Sequence, residues 1–230
     1  MANILNIETS TSVCSVALGS DGQIVDHYEN YDGLNHATLL SKYIKDVLET
    51  AARKEMLIDA IAVSIGPGSY TGLRIGLSQA KGLSFGLGVP LIGVNTLQLL
   101  TVSTMFQEFF DDDILFAPMI DARRMEVYTA VYNSALTPLL EPQPMILDEN
   151  SFEELLSNHR LVIMGNGSEK ASKVINNRNA RFIQGVKPVA VDMLALSEKA
   201  YRENTFIDVA YSTPLYLKDF QATVPKKKVL

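Results

Sequence analysis

Glu8 ends a short apolar stretch, Ile4-Leu5-Asn6-Ile7, and is followed by four hydroxyl side chains, Thr9, Ser10, Thr11 and Ser12. A carboxylate at a strand end beside hydroxyls can orient a hydrated cation or a nucleotide phosphate; a polar turn has the same composition. The stronger local signal is Gly66-Pro67-Gly68-Ser69-Tyr70-Thr71-Gly72, three glycines in seven residues between an apolar run and a helical pattern. A loop of this kind directs backbone N–H groups from a helix N-terminus, where an anion is best received. It is not a P-loop, because no Gly-Lys-Ser/Thr follows. Nor is it Gly-x-Gly-x-x-Gly, since the sixth position from Gly66 is Thr71. Spacing alone leaves open a phosphate contact through Gly66, Gly68 and Ser69, a structural tight turn, or a loop that touches a partner.

Other reactive side chains lack companions. A metal site at His36 needs a second donor one turn on, but Leu40 stands there, and the chain has neither His-x-x-x-His nor His-Glu-x-x-His. Cys14 is the only cysteine, so no intrachain disulfide or thiolate cluster can form, and it reads as a small core residue. Asp121, Arg123 and Arg124 lie together as either a surface ion-pair cluster, the favoured reading, or a contact site. No nucleophile has a visible base, so the residues supply no catalytic or metal constellation.

These residues need elements to hold them. Strands are expected over 4–7, 13–18 and 24–28, with Asp21-Gly22 as the hairpin turn. Apolar residues at helical spacing predict a helix over 34–54, and the continuous apolar run 58–65 predicts a strand buried on both faces. A helix over 73–87, a strand over 89–94 and a helix over 96–110 follow. From Ile114 the pattern restarts: a hairpin over 114–120 and 126–132, an extended segment punctuated by Pro138, Pro142 and Pro144, a short helix over 151–157, a strand over 161–164, a second glycine turn at Gly165-Asn166-Gly167, and a helix over 191–201. A hairpin followed by alternating strands and helices, occurring twice, implies two related α/β lobes, divided as 1–110 and 111–230. Hydrophobic residues at 47% and charged residues at 20% of 230 are ordinary globular values. The net charge of −6 argues against a protein that grips nucleic acid by itself. No basic leader and no apolar stretch of membrane-spanning length are present, so a cytoplasmic protein without a membrane partner is expected. Pro225-Lys226-Lys227-Lys228-Val229 reads as a solvated tail.

Gly72, Gly76, Ala80, Ser84 and Gly88 recur every four residues and give the 73–87 helix one nearly bare face. Glycine within a helix costs roughly 1 kcal/mol relative to alanine, and this helix holds Gly76, Gly82 and Gly86. That cost implies a close approach by another backbone, either of this chain or of a second one.

Several segments together resemble the TsaB family, also called YeaZ. Ile4-Leu5-Asn6-Ile7-Glu8-Thr9-Ser10 is similar to its opening strand, with Glu8 where Asp is usual. Gly66-Pro67-Gly68-Ser69-Tyr70-Thr71-Gly72-Leu73-Arg74-Ile75-Gly76 is similar to its hallmark loop, with Tyr70 where Phe is commoner. Asp121-Ala122-Arg123-Arg124 with Glu126-Val127-Tyr128, Gly165-Asn166-Gly167 and Pro214-Leu215-Tyr216-Leu217-Lys218 resemble later motifs in the same order. The resemblance implies the actin/sugar-kinase/Hsp70 fold, with two ribonuclease-H-like lobes. It also implies a non-catalytic scaffold subunit in the synthesis of threonylcarbamoyladenosine next to the tRNA anticodon. The implied partners are a TsaD-like catalytic paralogue, a TsaE-like ATPase and, without the paralogue, a second copy; tRNA is met only through the complex. The first-lobe helices are then the expected interface, through His36, Leu40, Tyr43, Val47, Leu73, Gly76, Leu77, Ala80, Leu83 and Ser84. Glu8, Thr9, Ser10, Gly66, Gly68 and Ser69 are left for at most a vestigial ATP or ADP contact, with no cofactor otherwise. A free-standing kinase or ATPase of the same superfamily is the alternative.

Overall fold

In the computed structural model, residues 2–33 and 36–218 are described; Leu34 and Asn35 of the expected first helix, and the lysine tail, lie outside them. Three strands open the chain as an antiparallel meander: β1 (Asn3–Glu8), β2 (Cys14–Ser20) and β3 (Gln23–Asn30). Helix α1 (His36–Arg53) leads to β4 (Ala60–Gly66), and α2 (Tyr70–Leu87) leads to β5 (Leu91–Asn95). Both strands add in parallel on the free side of β1, giving the order β3-β2-β1-β4-β5. The second sheet repeats this plan. β6 (Leu115–Asp121), β7 (Glu126–Tyr132) and β8 (Pro138–Ile146) form the meander, and β9 (Leu161–Met164) and β10 (Ala180–Ile183) extend it in parallel beyond β6. The order β10-β9-β6-β7-β8 is the first sheet's order with matching roles, so the two lobes share one topology.

β8 is a full edge strand despite Pro138, Pro142 and Pro144, because an edge strand can leave one row of donors unpaired. β10 carries too little apolar patterning to be read from sequence. Helix α3 (Thr96–Met105) stops five residues before the expected end, and Phe109 beyond it is fully exposed. Eight of its residues are buried, the mark of a helix covered on all sides. It lies between the sheets: Leu99 packs with Ile4, Ala62 and Ile92 of the first, while Leu97 and Leu100 pack with Phe116, Ala130 and Val162 of the second.

Helices α1 and α2 cover the other face of the first sheet, where Leu40, Val47, Leu77 and Ala80 meet Leu5, Ile7, Val16 and Val63. The short helices α4 (Glu153–Asn158) and α5 (Ser168–Ala171) belong to the second lobe. The chain then returns: α6 (Leu194–Arg202) packs on β1 and β5. Ile207 bridges to Leu91, and the Leu215 N–H bonds Ile65 O at 2.7 Å. Residues 194–215 therefore pack on the first sheet although they follow the second in sequence. No helix among the described residues is long and apolar enough to cross a membrane.

Candidate functional site

The glycine loop and the β1–β2 turn are locked together. Ser69 caps α2, its hydroxyl accepting from Gly72 N–H at 3.2 Å, so the helix starts at Tyr70, inside the segment that sequence reads as loop. The Ser69 N–H donates to Ser10 O at 2.6 Å, and the Thr9 hydroxyl donates to Gly72 O at 2.8 Å. A Cβ on Gly72 would lie 2.1 Å from Thr9 O and one on Gly76 2.2 Å from Thr9 Oγ1, distances no side chain tolerates. These glycines admit the chain's own turn.

This geometry corrects the expected nucleotide contact. Glu8, Thr9 and Ser10 are fully buried and Gly66 is buried, while a Cβ on Gly68 would strike Ser10 O at 2.3 Å. Ser69 is exposed, but its N–H is already engaged by Ser10. The Ser69 N–H is taken by Ser10 O and the Gly72 N–H by the Ser69 hydroxyl, so neither faces a phosphate. Nor do the residues fit a metal at His36. Its Nε2 lies 3.2 Å from Thr11 O and 3.1 Å from Val13 O, and Leu40 is wholly buried. The imidazole pins the β1–β2 turn to the start of α1.

Glu8 is the unusual charge of this region. Its Oε1 accepts from the Ser10 N–H and hydroxyl, while Oε2 has no hydrogen-bond partner and neither does the adjacent Ser64 hydroxyl. Burial pushes its pKa up to about 7, against the smaller opposing pull of the Ser10 hydroxyl and N–H. A buried acid favours its neutral form in the folded state. Its stabilising share is thus complete below the unfolded value near 4.5 and is lost as pH rises through about 7. Glu8→Gln keeps the acceptor for Ser10 and removes the charge. Urea titrations should find it more stable than the parent at pH 8, by up to about 3 kcal/mol, and no more stable at pH 4. An unchanged difference between the two pH values would show that Glu8 does not titrate across this range.

The end of β6 mirrors the end of β1 but is built differently. Asp121 is half-exposed and pairs with Lys170 of α5 at 2.6 Å. The Lys170 ammonium also donates to Arg124 O and Glu126 O, each at 2.7 Å, and Asn166 Oδ1 accepts from the Asp121 N–H at 2.8 Å. The expected Asp–Arg cluster is thus corrected: the carboxylate serves a lysine and the Arg123 N–H, and both arginine side chains stand exposed. Arg123 and Arg124 have φ of 71° and 50°, successive left-handed residues that each cost roughly 1–2 kcal/mol for a side chain with a Cβ. Lys170→Met should lower stability by about 1–3 kcal/mol, read as an earlier urea midpoint, since it strands an acid and two carbonyls.

The expected partner face also needs correction. Leu40, Val47, Leu73, Leu77 and Ala80 are at most 4% exposed, and Gly76 and Ser84 are buried with them. The bare stripe of α2 faces its own β1 and β4, so it cannot meet a second chain. Tyr43 is stacked on Tyr28 at 5.5 Å. Of the ten expected positions only His36, Tyr43 and Leu83 are partly exposed. The face α2 turns outward is another one: Ser78, Gly82, Phe85 and Gly86. Phe85 is 84% exposed, and a Cβ on Gly82 or Gly86 would meet nothing within 4 Å. Beside it a groove of about 560 Å³ runs between Ala37 of α1 and Ile75, Gln79 and Leu83 of α2. The signal was present in the sequence, as two helical glycines lying off the four-residue stripe.

The C-terminal motif ties these parts together. The Tyr216 ring lies tilted against Tyr70, centroids 5.2 Å apart, the Arg74 guanidinium donates to Tyr70 Oη at 2.7 Å, and Lys218 pairs with Glu126 at the start of β7.

Comparison with known proteins agrees with this architecture. The family model described as "TsaD: tRNA N6-adenosine threonylcarbamoyltransferase" matches residues 32–226. The tRNA threonylcarbamoyladenosine biosynthesis protein TsaB of Escherichia coli K12 is 31% identical over 222 residues, covering 94% of each chain. The chain belongs to the TsaB family. TsaB relatives are named for threonylcarbamoyladenosine biosynthesis in tRNA, and that is the process this member takes part in. A tRNA N6-adenosine threonylcarbamoyltransferase of Thermosipho africanus is 38% identical over 107 residues, 40% of this chain and 32% of the transferase, so the TsaB fold shares part of its sequence with the enzyme. A solved Pseudomonas aeruginosa structure, described as an uncharacterized protein with similarity to peptidase YEAZ, superposes with a TM-score of 0.80 at 26% identity over 95% of this chain and all of the other. This places the two five-stranded sheets in the actin/sugar-kinase/Hsp70-like fold that the sequence leads one to expect.

Proposed function

We propose that this chain is a non-catalytic subunit that binds and supports a TsaD-type transferase during threonylcarbamoyladenosine synthesis. The observation that carries this reading is the outer face of α2, where Phe85 projects between two glycines with open space above them. A helix keeps such glycines at a cost in stability only where another surface must come close. An exposed aromatic beside a shallow apolar groove is an anchor of the kind that dominates protein interfaces. The family membership and the shared sequence with the transferase support a TsaD-type chain as occupant. A second copy of this chain is the occupant when the transferase is absent, and a TsaE-type ATPase joins the assembled pair. The burial of Glu8, Thr9 and Ser10 against the glycine loop supports a subunit that takes no nucleotide there.

The test is reconstitution. The purified chain should transfer no threonylcarbamoyl group alone, and the transferase from the same genome should need it for full activity on unmodified tRNA. A transferase fully active without this chain would overturn the proposal. Calorimetry of the isolated chain with Mg-ATP should give no binding; micromolar affinity lost in Glu8→Ala would replace the scaffold reading with an enzymatic one.

A further inference from the structure

The β6–β7 tip keeps two arginines where the backbone would prefer neither. Successive positive φ values at a hairpin tip are the conformation that Asn-Gly adopts with least strain, yet Arg123 and Arg124 occupy them. Lys170, largely buried, holds the tip from beneath through three hydrogen bonds. The carboxylates within the motif are already neutralised, Asp121 by Lys170 and Glu126 by Lys218. Asp148 follows Leu147, whose N–H bonds Met125 O, but its carboxylate is turned to the Asn150 N–H and the Ser151 hydroxyl. No ion pair among the described residues uses either arginine, and both side chains are exposed. On a chain of net charge −6 this is a local cationic point on a rigid mount.

We propose that Arg123 and Arg124 contact the phosphodiester backbone of the tRNA while it is held by the assembled complex. The inference rests on the function proposed above, since the chain's overall charge gives no grip on RNA without its partner. Two guanidiniums side by side fit successive phosphates, and phosphate contacts position a nucleic acid without reading its sequence. An acidic protein surface is the competing occupant, and the experiment separates the two.

The informative variant is Arg123→Asn with Arg124→Gly, which removes both charges and gives the turn its preferred residues. Its Tm should rise by about 2–4 °C, so a functional loss cannot be ascribed to unfolding. The variant, assembled with the transferase, is titrated with unmodified tRNA across a range of salt concentrations. Binding should weaken roughly tenfold at low salt, and the slope of log K against log salt should fall by about 1 for each arginine removed. Unchanged affinity and slope would overturn the phosphate contact. So would a complex that no longer assembles while residual tRNA binding keeps its salt dependence, because the arginines then serve a protein. The reading of the chain as a required subunit stands or falls on reconstitution with the parent sequence, so the two failures are distinct.

Discussion

Ala80→Arg should unfold the first lobe. Ala80 is wholly buried where α2 crosses the first sheet, among Leu5, Leu40, Val63 and Leu77. An arginine there must either leave its charge unpaired in an apolar core or force the helix off the sheet. Overpacking and an uncompensated buried charge together cost about 4 kcal/mol or more. That is a large part of the ~5–15 kcal/mol that holds an ordinary domain together. The expected result is loss of the helical circular dichroism signal and of a cooperative melt at 37 °C. A folded, dimerisation-deficient Ala80→Arg protein would mean that the stripe faces outward, contrary to the packing described.

Gly82→Arg, half a turn away, should have the opposite character. The position is exposed, nothing lies within 4 Å of its missing Cβ, and arginine is a better helix former than glycine by about 1 kcal/mol. The variant should therefore melt no earlier than the parent. A long cationic side chain beside Phe85 should nonetheless weaken association with the transferase by roughly 100-fold or more, as truncation of an interface anchor does. Sedimentation or calorimetry of the mixed proteins reads this directly. Tight binding by a folded Gly82→Arg protein would move the partner elsewhere and remove the basis of the scaffold proposal. Together the pair of substitutions separates the inner face of one helix from its outer face.

These two residues also show what the sequence does and does not disclose. The four-residue repeat of small side chains correctly marks a face of α2, because helical periodicity is a property of the segment alone. What that face meets is set by Thr9, Val63 and Leu5, distant in sequence, and no periodicity records it. The same limit applies at Glu8. Its place at a strand end was legible from the apolar run before it. Its burial was not, because hydroxyls that suggest a ligand site instead bond the chain itself, Thr9 to Gly72 O and Ser10 to Glu8. The first meander, the second lobe's hairpin and the strands β4, β5 and β9 followed from apolar patterning and the glycine turns. The edge strand with three prolines and the weakly apolar β10 did not, since both depend on a neighbour already in place. At the β6–β7 tip, residue types named the charged groups. Only the Lys170 bonds, which come from a helix about fifty residues away, show which of them remain unpaired.

The return of α6 and residues 207–215 to the first sheet bears on how the molecule is made. One face of that sheet, carrying Ile4, Ala62 and Ile92, is closed partly by Leu99 of α3 and partly by Met193 and α6, which leave the ribosome long after β5. At ~5–20 residues per second, the part of that surface beneath Met193 and α6 waits roughly 5–20 s for its cover. A message truncated before α6 leaves Ile4, Ala62 and Ile92 without the cover that Met193 and α6 supply.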